Sequence, residues 1–397
     1  MNKVKSLRPR TKAVLPGAMV AVALALSACG QDDPGNRPAA RSEAPAPAAV
    51  KVKEPLVVTY DGGLHILDAA TLKVVQSIPL PGFIRVNPAG NGRHVMVSTS
   101  TGFRVLDAAG ATLTKDEFAA PKPGHVVHHA GKTVLFSDGA GKATIFDPRR
   151  LGDGLPQSTT HTAPHPHHGV AIALANGELV ITLGDEEKRP GIQVLGADRR
   201  EVARSEDCPG VHGEATAKDE TVVIGCETGA LLYRDGKITK VRAPDAYGRV
   251  GNQAGHEDSP IVLGDYKTDP DAELERPERV SLIDTRSGSL KLVDLGTSYT
   301  FRSLGRGPHG EALVLGTDGA LHVIDPERGE VTRKIKVMDQ WREPLEWQQP
   351  RPALHVRDHT AYVTDPAGKK LHAVDIDSGK VTLTAQLPQS PNEITGT

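Results

Sequence analysis

Val323-Ile324-Asp325-Pro326-Glu327-Arg328-Gly329-Glu330 is a short apolar run that stops at an aspartate and turns on a glycine. Val374-Asp375-Ile376-Asp377-Ser378-Gly379-Lys380 repeats it, and the apolar-Asp ending recurs at Ile66-Leu67-Asp68, Val105-Leu106-Asp107 and Ile145-Phe146-Asp147. Altered copies stand at Val194 to Asp198, Tyr233 to Gly236 and Leu282 to Asp284. These eight copies recur at intervals of about 40 to 50 residues, among short Val/Ile/Leu runs parted by Gly, Asp and Asn turns. That pattern describes an all-β chain of eight four-stranded units. One four-stranded sheet of this size cannot bury both faces, so the units must stack, and a closed ring protects their edges. The expected fold is an eight-bladed β-propeller, with a seven-bladed ring as the alternative if the copy near Asp235 is an insertion. Leu56 to Pro79 supplies only three strands and Asn392-Glu393-Ile394-Thr395 one. The C-terminal strand is therefore expected to complete that blade and close the ring.

Residues 1–28 stand outside this pattern. Lys3, Lys5, Arg8, Arg10 and Lys12 precede an apolar stretch, Ala13 to Leu26, that is too short for a stop-transfer helix, and together they read as an export signal. Leu26-Ser27-Ala28-Cys29 looks like the lipobox of bacterial lipoproteins, where the chain is cut before the cysteine and the thiol carries lipid; an ordinary signal peptide is the alternative. Residues 29–53, rich in Pro, Ala and charge, read as a disordered tether, leaving 54–397 as the propeller. Export puts Cys208 and Cys226 in a compartment that permits disulfides, where their pairing would stabilise by about 3 kcal/mol. The rival reading, metal thiolates, lacks C-x-x-C spacing.

Removing residues 1–28 takes five positive charges and no negative one from a formal charge of −2, leaving −7. A mildly acidic body with 4% aromatic residues offers no basic stripe for nucleic acid and no aromatic groove for sugars. Contact with a membrane is expected through the lipid anchor only.

Seven of the sixteen histidines lie between His125 and His168, in a window that closes with Thr162-Ala163-Pro164-His165-Pro166-His167-His168-Gly169. Prolines between histidines argue for a stiff loop, and neutral imidazole is the commonest protein ligand for zinc. Second strands align on runs such as Val95 to Ser98, Val134 to Ser137, Leu179 to Thr182 and Val222 to Gly225. Counting back about ten to twelve residues gives the start of each innermost strand: Arg85, His125, His167-His168, His212, Gly251-Asn252, Arg302-Ser303 and Arg351. His125 to His168 is 43 residues and His168 to His212 is 44, one blade each. Imidazoles remote in sequence should thus converge at one mouth of the channel. Three of them suit Zn²⁺ at about 2.0–2.1 Å, with a carboxylate, another histidine or water in the fourth place.

The expected metal residues are His125, His167, His168 and His212. A weaker or secondary role is expected of four others. Glu214 lies two residues beyond His212 on the same strand face, and His128 further along an inner strand. His165 is in the Pro-rich loop, and His256 in the hairpin His256-Glu257-Asp258. The scattered histidines, His309 and His359 among them, read as surface or turn residues.

H-P-H-H-G at His165 to Gly169, C-P-G-V-H-G-E at Cys208 to Glu214 with Cys226 following, and G-H-E-D-S-P at Gly255 to Pro260 carry a resemblance that spans the whole propeller. The chain resembles the AztD-type zinc metallochaperones, extracytoplasmic proteins that accompany a zinc ABC transporter. The resemblance implies a propeller that binds zinc through central histidines, here His125, His167 or His168, and His212. It also implies direct transfer of the metal to the transporter's solute-binding protein. The expected protein is a zinc-binding lipoprotein outside the cytoplasm, anchored at the cell surface or periplasmic side, and not an enzyme. A propeller metallohydrolase or lactonase is the alternative. It would need an open coordination position, a general base and an electrophile clamp, for which Arg302 and Arg351 are the available residues. A non-catalytic protein-binding propeller would leave the phase of the histidines unexplained. H-E-x-x-H, G-x-S-x-G and Gly-rich phosphate motifs do not occur.

Overall fold

The computed structural model describes residues 51–397. The expected export signal, Cys29 and the expected tether up to residue 50 lie outside the described residues. Eight sheets of four antiparallel strands follow one another along the chain, the fifth with a short parallel addition at Gly248–Arg249, and no α-helix occurs among the described residues. Blade 1 holds Pro55–Tyr60, Gly63–Asp68 and Val74–Pro79; blade 2 begins at Arg85–Pro88, blade 3 at Pro123–His129 and blade 4 at Ala171–Ala173. Blades 5 to 8 begin at His212–Ala217, Gln253–Ala254, Leu304–Arg306 and Leu354–Arg357. Ile394–Thr395 pairs antiparallel with Pro55–Tyr60, Val57 opposite Thr395, and takes the innermost place of blade 1. The last strand of the chain thus closes the ring.

Blade stacking explains the apolar runs. His94–Ser98, Leu179–Leu183 and Thr221–Cys226 are buried at every residue, because each blade is covered on both faces by its neighbours. Eight separate apolar clusters result, one at each blade junction. Val57, Leu64 and Ile66 of blade 1 meet Val86, Val95 and Val97 of blade 2, and Leu56, Val58 and Leu67 meet Tyr362, Leu371 and Ala373 of blade 8. Eight junctions for eight blades leave no open edge, which settles the count against seven. Val52, just before the expected body, is buried in the first of these clusters and donates its N–H to Ala109 O at 2.8 Å.

The recurrent aspartates cap the turn that follows the third strand. Asp107 Oδ1 accepts the N–H of Gly110 at 2.9 Å, Asp325 Oδ1 those of Glu327 and Arg328 at 3.0 Å, and Asp375 Oδ1 that of Ser378 at 2.7 Å. Such Asx turns satisfy backbone donors that no strand can reach. Gly329 and Gly379 complete two of them at φ +63° and +68°, where a side chain is strained. The weak copy near Asp235 belongs to blade 5 after all: Arg234 and Lys237 pair across a two-residue Asp235-Gly236 hairpin, with φ +49° and +77°.

Candidate metal centre

Three consecutive blades deliver one histidine each to a single mouth of the ring, two from innermost strands and one from the segment before a third. One ring nitrogen from each of His125, His168 and His212 lies within 4.8 Å of the other two, and ring centroids are 5.2, 5.4 and 5.0 Å apart. His125 and His212 both sit where the ladder slips register, between Pro123 and Val126 in blade 3 and between His212 and Ala215 in blade 5. A bulge re-aims its side chains, and Gly213 at φ +70° makes the second one possible. His168 precedes the first strand of blade 4.

Two of the three imidazoles are hydrogen-bonded through Nδ1, and the third has a carboxylate beside that atom. His212 donates to Gly251 O at 2.5 Å, and a carbonyl can only accept, so the proton is on Nδ1 and the lone pair on Nε2. His168 Nδ1 donates to Asp138 Oδ2 at 2.6 Å, and His125 Nδ1 stands 3.3 Å from Glu214 Oε2. This is the support that metal-ligating histidines ordinarily have, fixing tautomer and ring direction. Burial, reinforced by the neighbouring His125, holds His212 well below the ordinary imidazole value, so it is neutral near pH 7. The side chain of His168 is 43% exposed, which leaves the group open to solvent on one side.

His167, the other member of the doublet, faces the opposite way. It is buried; His165 O is 3.0 Å from its Nδ1, and Thr182 O and Oγ1 are 3.2 and 3.1 Å from its Nε2. Gly169 allows this, since a Cβ there would lie 2.7 Å from His167 Nε2. Of the secondary residues, Glu214 joins the group through His125. His165 and His128 are exposed, and His256 accepts the N–H of Asp258 at 3.2 Å within its own turn. Arg302 and Arg351 are buried against carboxylates, Glu393 at 3.0 Å and Glu343 at 2.6 Å, and so are not free to clamp a substrate. Cys208 and Cys226 are bonded to each other, Cα atoms 5.5 Å apart, at the base of the segment that carries His212.

Asp138 escaped the reading of the sequence. It belongs to the turn after the second strand of blade 3, one blade away from His168, and its only local signal is the Asp138-Gly139 pair. Gly124 confirms its place: a Cβ on Gly124 would collide with Asp138 Oδ1.

Comparison with known proteins gives three findings. The chain is 30% identical over 299 residues to a protein named zinc chaperone AztD, from Citrobacter koseri, covering 73% of this chain and 69% of that one. The structure of apo AztD from Citrobacter koseri superposes with a TM-score of 0.75 at 24% identity, over 87% of this chain and 98% of that one. A dihydro-heme d1 dehydrogenase, NirN, shares the fold at a TM-score of 0.57 and 14% identity, over 86% of this chain and 75% of that one. No family model matches the chain.

Proposed function

Because this chain belongs to the AztD family of zinc chaperones, we propose that it carries one Zn²⁺ on His125, His168 and His212 and delivers it to the solute-binding protein of a zinc ABC transporter. The observation that carries this reading is the set of three convergent imidazoles, with Nδ1 of His168 and His212 already hydrogen-bonded and that of His125 beside Glu214, so that the Nε2 lone pairs are the ones left for one cation. Zinc is cargo here, with water in the fourth place. Neutral His212 accepts the ion without first losing a proton. Asp138 and Glu214 offset the incoming positive charge from behind the imidazoles, and the exposed flank at His168 gives an acceptor protein access to the ion.

The non-catalytic reading follows from what surrounds the group. A hydrolase needs a clamp for its substrate's developing charge, and both arginines suited to it are paired within the ring. The export signal and the Leu26-Ser27-Ala28-Cys29 sequence support a lipoprotein held at a membrane from outside the cytoplasm. No described helix is long and apolar enough to cross a membrane.

The test is kinetic. Zinc-loaded protein is mixed with the metal-free solute-binding protein, and in parallel with a chelator that captures only released ion. Transfer to the protein faster than to the chelator is expected. Equal rates would reduce the protein to a zinc store, and unchanged zinc affinity in a His125→Ala, His168→Ala, His212→Ala variant would displace the site.

A further inference from the structure

A second group of metal-binding side chains lies at the opposite end of the blades. His309 is in the turn between the first two strands of blade 7, and His359 in the corresponding turn of blade 8. Asp377 is in the Asx turn after the third strand of blade 8. One ligand atom of each lies within 4.8 Å of the other two. His359 Nδ1 is 2.7 Å from Asp377 Oδ2, His309 Nε2 is 3.8 Å from Asp377 Oδ1, and the two rings are 5.5 Å apart.

Two ligands that share a tetrahedral ion, each at about 2.0–2.1 Å, stand roughly 3.3 Å apart. The 3.8 Å gap is too long for a hydrogen bond and close to that separation. Two imidazoles and a carboxylate with open positions form a donor set that borderline divalent cations prefer.

The backbone beneath the group is fixed independently of any ion. Ile376 N–H donates to His359 O at 2.9 Å, which ties the two turns of blade 8 together. Arg333 of blade 7 reaches across the junction to the carbonyls of Asp377, at 2.7 Å, and Ile376. Glu311 accepts the N–H of His309 at 3.0 Å, and Arg306 donates to Gly310 O at 2.6 Å. The three side chains are exposed, so an ion would not have to desolvate a closed cavity to enter.

We propose that His309, His359 and Asp377 form a second, solvent-exposed site for Zn²⁺ or a similar borderline divalent cation, bridging blades 7 and 8 on the face opposite the His125 group. With two imidazoles and one carboxylate in the open, it binds more weakly and exchanges faster than the first. The full chain is titrated with Zn²⁺ against a competing chelator and its bound metal is counted, for wild type, H212A, H359A and D377N. Wild type should take up a second, weaker equivalent. H359A and D377N should each weaken that equivalent by about tenfold or more and leave the first unchanged. H212A should lose the first and keep the second, which separates failure of this proposal from failure of the first site. Thermal unfolding of the apo forms of H359A and D377N should match wild type, since these side chains are exposed. Saturation of wild type at one equivalent, or a smaller effect in either variant, overturns the proposal.

Discussion

His167 and His168 are adjacent, yet one is buried among Phe136 and Thr182 and the other stands in the group at the channel mouth. Their alanine variants should therefore fail differently. His167→Ala removes a buried imidazole that stands between His165 O and Thr182 and should cost about 2 kcal/mol in denaturant unfolding. Its zinc affinity should stay within a few-fold of wild type. His168→Ala should leave apo stability nearly unchanged and weaken zinc by at least about 100-fold in chelator competition, more than loss of a supporting partner ordinarily costs. Two other imidazoles are among those that contribute a pH dependence. Burial, with Arg357 nearby, pushes His355 down to about 4, and His212 is also held low. The unfolded chain protonates these residues near 6.5, above the folded values, so it binds more protons and stability is lost as pH falls from 6.5 toward 4. For His355 the loss amounts to about 3 kcal/mol. Urea titrations of the apo protein between pH 7 and 4 should show this slope, and H355N should make it shallower by the His355 share.

At the scale of strands and turns, irregularities carry the chemistry. Regular first strands would alternate their side chains, whereas the slips at Pro123–Val126 and His212–Ala215 turn His125 and His212 toward a common point. The Cys208–Cys226 bond, spanning 18 residues, ties the approach to His212 back onto the strand that pairs with it. Replacing both cysteines by serine should lower stability by about 3 kcal/mol. The zinc count should remain at its wild-type value, because the sulfurs are bonded to each other. Loss of an equivalent of zinc in a folded double variant would make them ligands instead. The eight-blade period and the third-strand aspartates were readable from the chain, because Asx turns and apolar runs are local. The bulges were not: they depend on which neighbour each first strand meets.

At the scale of the whole ring, a buried ion pair lies where strand pairing closes it. Glu393, beside the closing strand, accepts from Arg302 of the blade 6–7 linker and from Arg85 of blade 2, both at 3.0 Å, and from the N–H of Val86. Glu393→Ala would leave Arg302 buried without its carboxylate and should destabilise by about 3–5 kcal/mol. Thermal denaturation should read this as a lower midpoint in a single transition, since every blade depends on two neighbours. A variant that melts in two steps would show that closure is not shared by the whole ring. The period along the chain pointed to an all-β ring of eight blades in preference to seven, to its closure by the C-terminal strand and to the one-blade spacing of His125, His168 and His212, because a repeat is written in local residues. Packing between blades settles the blade count, which of His167 and His168 faces the mouth, that Asp138 and Gly251 hold imidazoles, and that Arg302 and Arg351 are paired within the ring. It alone brought His309 and His359, read as scattered, to Asp377. Contacts between blades join residues tens to hundreds of positions apart, and no local pattern records which way a side chain turns when two blades meet.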